Sequence, residues 1–174
     1  APAGYGKSAL AAQLVARAAS GDWPVQLVYV FLRQETGEHT PNYFLQRLNA
    51  QLLTRLQLEG GVPSDLEALR SQFSALWARW LETSRGPAAL LVDGLDEMEP
   101  GAVTVATLLP DRVGPEMQIL VTSRPNPDPA SVVPAGHPLA PGRRFRVPAF
   151  DRDDLAALLR HQGAPEASAR AWAA

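Results

Sequence analysis

Three short apolar runs, separated by stretches with helical spacing, constrain this chain's fold more than any other feature. Residues 25–32 (VQLVYVFL) are apolar on both faces apart from Gln26, the pattern of a strand covered on both sides. Residues 88–92 and 118–122 are further runs of strand length. Before and between them, residues 7–19 are good helix formers with Leu10, Leu14, Val15 and Ala18 on one face, stopped by Gly21. Thr40 and Pro41 open a helix to about Leu56 as N-cap and first-turn proline, with Phe44, Leu45, Leu48, Leu52 and Leu53 apolar. Ser64-Asp65-Leu66-Glu67 reads as a capping box for another helix carrying Leu69, Phe73, Leu76, Trp77, Trp80 and Leu81. Trp77 and Trp80, one turn apart, are most simply core. A short helix is expected over 103–109, a last short strand over 144–147, and a helix over 152–161 capped by Asp151. A further helix begins at Pro165. Residues 125–141 hold six prolines and read as a loop. Strands alternating with helices predict a parallel α/β sheet.

Composition narrows the function. A chain of 174 residues suits one domain. Its apolar runs fall short of the ~20 residues a bilayer helix needs, so no membrane insertion is expected. Eighteen acids against sixteen bases give a net charge of -2, which argues against electrostatic binding of nucleic acid. Without cysteine there is no disulfide, thiolate metal site or cysteine nucleophile. Nothing at the N-terminus reads as a signal peptide, so a cytoplasmic location is the expectation. All but one of the basic residues are arginine. The single lysine, Lys7, is therefore expected where a compact ammonium is needed and a planar guanidinium will not serve.

Lys7 lies in the octet Ala1-Pro2-Ala3-Gly4-Tyr5-Gly6-Lys7-Ser8, which fits G-x-x-x-x-G-K-[ST] except that Ala1 replaces the first glycine. Gly4 and Gly6 let backbone amides turn toward a phosphate, Lys7 supplies a point charge, and the Ser8 hydroxyl suits Mg2+. The helix starting at Lys7 aims its positive end at the same anion. The blander reading is a glycine-rich helix start with a surface lysine. A second motif, Ala89-Leu90-Leu91-Val92-Asp93-Gly94-Leu95-Asp96-Glu97, runs from a buried strand into three acids within five positions. Such a cluster repels itself without a cation, a reason to expect Mg2+ near Asp93. The alternative is an acidic turn closing a strand. The third motif, Ile119-Leu120-Val121-Thr122-Ser123-Arg124-Pro125, ends a strand in small hydroxyls and a cation. Ligands bind at that end of open α/β sheets, so Arg124 is a candidate γ-phosphate sensor; the alternative is a surface arginine before a proline turn.

In this order the three motifs resemble the NACHT family of signal-transduction NTPases, within the STAND class of P-loop ATPases. GYGKSAL is similar to that family's Walker A, LLVDGLDE to its extended Walker B and ILVTSRP to its sensor 1 strand. Residues 28–52 and 144–159 are similar to its second strand, loop and helix and to its fifth strand and next helix. The resemblance implies a P-loop three-layer sandwich with strand order 5-1-4-3-2, whose first strand is missing before the loop. The chain is therefore expected to be a fragment, with 1–150 the nucleotide-binding domain and 151–174 the start of a helical segment. It implies nucleotide binding by Gly4, Tyr5, Gly6, Lys7, Ser8 and Ala9, and Mg2+ held by Ser8 and Asp93. Glu97, with Asp96 beside it, would orient the attacking water, and Arg124 would sense the γ-phosphate. It further implies ATP as ligand or substrate, GTP less so, and self-association in the parent protein.

Other readings fare worse. Guanine-specific enzymes use an N-K-x-D motif, and the one lysine is already in the loop, which counts against them. Some NACHT proteins bind GTP without the motif, so a GTP-preferring NACHT protein stays an alternative. The three acids supply the means for hydrolysis without its rate, so a nucleotide-binding scaffold that does not hydrolyse remains the alternative. His39, His137 and His161 are widely spaced and read as solvated. Arg143, Arg144 and Arg146 read as a solvated basic face.

Overall fold

The computed structural model describes residues 6–101, 103–125, 128, 132–148, 154 and 157. In chain order these form α1 (Lys7–Ser20), β1 (Gln26–Phe31), α2 (Pro41–Arg55), α3 (Leu66–Thr83), β2 (Ala88–Asp93), a 3-10 turn (Leu95–Glu97), α4 (Val105–Leu108) and β3 (Met117–Val121). The strands make one parallel sheet in the order β1-β2-β3. That order is the 2-3-4 portion of the expected arrangement.

Helices cover both faces of the sheet, as the strands' apolar character requires. On one face Val28, Val30, Leu90 and Val92 pack against Phe44, Leu48 and Leu52 of α2 and Phe73, Trp77 and Trp80 of α3. On the other, Leu27, Ala89 and Leu91 meet α1 through Ala11, with Leu14, Val15 and Ala18 beside it. The central strand β2 is buried at every residue. Both tryptophans are core, and their indole N–H groups still find acceptors: Trp77 on the Arg112 carbonyl (2.9 Å) and Trp80 on Gln26 Oε1 (3.4 Å).

Strand β1 lies at an edge, where unpaired backbone invites another strand. Gln51 of α2 closes that edge. Its amide imitates a neighbouring peptide, accepting from the Tyr29 N–H (3.0 Å) and donating to the Tyr29 carbonyl (2.7 Å). Arg55 donates to the Leu27 carbonyl at 2.9 Å.

The punctuation mostly follows the residues. Gly21 ends α1 at φ 84°, and the Thr40 side chain caps α2 with Pro41 in the first turn. Some expectations need correction, and others fall outside the described residues. Asp65, not Ser64, caps α3, accepting from the Ala68 N–H (3.0 Å); the Ser64 carbonyl instead accepts from Asn42 Nδ2. Residues 144–147 join no ladder, and Phe145 is 79% exposed beneath the Arg143 guanidinium. The strand they were expected to join is not among the described residues. His137 is buried rather than solvated: a turn over residues 134–140 folds it inward, and its Nδ1 accepts from the Leu139 N–H (3.2 Å). The helices expected over 152–161 and from Pro165 lie outside the described residues apart from Asp154 and Ala157, as does His161.

Candidate phosphate and metal site

Five residues, Gly21 to Val25, separate α1 from β1. So short a link reverses the chain and makes α1 run opposite to the strands it packs on. Lys7 and Ser8 in its first turn therefore face the side of the sheet where the strands end. Gly6 precedes them at φ 78°, a left-handed conformation that glycine adopts without strain. No side chain caps α1 and its first turn carries no acid, so its leading amides and positive dipole end suit an anion. Ser8 and Ala9 are exposed; Gly4 and Tyr5 lie outside the described residues.

At the other side of this edge, β2 delivers Asp93, only 3% exposed, to the strand's end. The next residue must be glycine. Gly94 has φ 80°, and a Cβ there would stand 2.8 Å from the Leu32 carbonyl oxygen. That close approach turns the chain into the 3-10 turn bearing Asp96 and Glu97.

The segment after β3 holds the acidic turn in place. Parallel register sets Val92 beside Val121, so the residues following each strand meet. The Thr122 hydroxyl donates to Asp93 Oδ1 and accepts from the Gly94 N–H (3.0 Å). Arg124 engages both oxygens of Asp96, its backbone N–H on Oδ1 (2.9 Å) and its Nε on Oδ2 (3.0 Å). Glu97 Oε2 accepts from the Gln34 N–H (3.1 Å), just beyond β1.

Three of the predicted residues behave differently from a bare acidic cluster. Each acid has its own partner: a hydroxyl for Asp93, a guanidinium for Asp96, a backbone amide for Glu97. Mutual repulsion is thus answered within the protein and is no argument for a cation. The donor chemistry still fits Mg2+, which takes one or two protein oxygens and fills its octahedron with water and phosphate. Asp93 and Ser8 are hard oxygen donors of that kind. Asp96 and Arg124, expected in separate roles, are an ion pair. Two contributors leave little signal in the sequence: Thr122, visible only as one of the small hydroxyls ending a strand, and Gln34, which acts through its backbone and carries no residue-type signal. A cavity of about 530 Å3 lined by Tyr29, Arg47, Gln51 and Arg55 opens along β1's outer edge, on a different part of the sheet.

No match appears among the curated proteins. Among solved structures, the Aeropyrum pernix ORC1 protein, in complex with DNA, is similar with a TM-score of 0.52 and 17% identity. The likeness covers 92% of this chain but 41% of that one, so the chain spans about two fifths of its length. At that identity it speaks for the fold alone. The family model of the NACHT domain matches residues 2–165, which takes in the glycine-lysine loop, the acidic turn and the Arg124 segment. The chain belongs to the NACHT family, a P-loop NTPase fold that binds nucleotide.

Proposed function

We propose that this domain, spanning 1–150 and leading into a helical segment over 151–174, is an ATP-dependent switch that hydrolyses its ligand slowly with Mg2+. The observation that carries the reading is the placement of Asp93. A carboxylate is fixed at the end of the central strand, with Arg124 one strand away and the Lys7 helix opening toward the same edge.

Roles follow from chemistry. Gly4, Tyr5, Gly6 and Ala9 offer backbone amides to the phosphates, Lys7 neutralises the β- and γ-phosphate charge, and Ser8 and Asp93 hold Mg2+. When bound, the ion draws charge off the phosphate oxygens. Glu97 orients a water for attack. Arg124 is paired with Asp96; a γ-phosphate competes for that guanidinium, and the exchange tells ATP from ADP. Ligand contacts made in one state and lost in the other bias a two-state element. Self-association in the ATP state belongs to the same proposal, as does a cytoplasmic location. DNA binding is not carried over from the ORC1 likeness, since the chain's net charge is -2.

A second reading, a nucleotide-binding scaffold without turnover, draws support from Glu97 being occupied by the Gln34 N–H and Asp96 by Arg124. Steady-state ATP turnover with Glu97→Gln separates them. The switch reading expects a loss of at least roughly 100-fold with binding retained; turnover indifferent to the change removes Glu97 from catalysis.

A further inference from the structure

We propose that Thr122 is a positioning residue that fixes the Asp93 carboxylate for Mg2+, an inference that rests on the metal role given to Asp93 above. Thr122 directly follows β3 and is tied to four consecutive residues around the strand end. Its N–H donates to the Val92 carbonyl (2.9 Å), its carbonyl accepts from the Leu95 N–H (3.0 Å), and its hydroxyl joins Asp93 and Gly94.

The hydroxyl is the informative part. It carries one hydrogen and two lone pairs. The Gly94 N–H can only donate, so it occupies a lone pair and leaves the single hydrogen for Asp93 Oδ1. The direction of that bond is thereby set by the backbone. Asp93 is a short side chain, so holding Oδ1 fixes the plane of the carboxylate and assigns the metal side to Oδ2. Partners of this kind orient the group that meets a metal, and their loss typically costs about 10- to 100-fold in metal affinity.

The test compares Thr122→Val, an isostere without the hydroxyl, with Thr122→Ser, which keeps it. Binding of a fluorescent ATP analogue is titrated with Mg2+ and repeated with the metal chelated. Exchange of the Gly94 amide is followed in nucleotide-free protein. Thr122→Val is expected to raise the Mg2+ needed for half-saturation by on the order of tenfold, leave metal-free nucleotide affinity unchanged and speed Gly94 exchange. Thr122→Ser should stay near wild type in all three. If Thr122→Val does not fold, Thr122→Ala against Thr122→Ser makes the same comparison. Accelerated Gly94 exchange with an unchanged Mg2+ requirement overturns the proposal, leaving Thr122 a structural tie. A serine variant as impaired as valine overturns it also, since packing would then be the cause. Wild-type protein that binds nucleotide equally well with and without Mg2+ sinks the metal role of Asp93 itself, even where Gly94 exchange shows the bond intact.

Discussion

The two walls of the proposed site are built in opposite ways. The acidic wall, from Asp93 to Glu97, is held by the protein's own contacts. It ends a strand buried at all six residues, turns at an obligatory glycine, and every acid has a partner. The phosphate wall at the start of α1 rests on a thin seam. Of that helix's fourteen residues only Ala11 is buried, against six in α2 and five in α3. Free energies of local opening are lowest where few apolar contacts hold an element. By these contacts the acidic wall is the more firmly held of the two.

Substitutions that unbalance the walls sharpen the contrast. The largest effect is expected from Leu90→Ala, beneath the acidic wall. Leu90 is fully buried in the larger core, so the loss should be about 2–5 kcal/mol by urea denaturation. Gly94→Ala should follow, at about 1–3 kcal/mol, because a Cβ meets the Leu32 carbonyl in a left-handed backbone. Leu14→Ala in α1 is partly buried in the smaller cluster and should cost about 1 kcal/mol. In the same denaturation series, a Leu14 loss as large as that of Leu90 would break the contrast.

The smallest effect concerns Tyr43, at the start of α2. Burial, and then the hydrogen bond to Glu38 Oε1 (3.2 Å), push its phenol above the ordinary 10.0. The unfolded chain therefore loses this proton first as pH rises. The stabilisation is complete below the ordinary value and disappears as pH climbs through the folded one. Stability measured from about pH 9 to about pH 11 should fall less steeply in Tyr43→Phe than in wild type.

How far the sequence reveals all this depends on distance along the chain. The strands, the glycine after α1 and the Thr40-Pro41 start were legible because each is a local pattern. So was Asp93, which its strand carries to the edge. The Asp96–Arg124 pair was not, because its partners are 28 residues apart and meet only through the register of β2 and β3. His137 lay hidden in a proline-rich stretch without periodicity, where nothing local marks an inward turn. At α3, adjacent Ser64 and Asp65 both satisfy capping chemistry, and only the backbone path selects Asp65. Residues 144–147 show the reverse limit: a strand-like pattern becomes a strand only beside a partner.

The most direct test of the switch is equilibrium binding of ATP and GTP with Mg2+, wild type against Lys7→Ala. The account predicts saturable ATP binding that the substitution abolishes while the fold persists, with GTP weaker. Binding that is indifferent to Lys7 would contradict it, because no phosphate would then be seated at the start of α1.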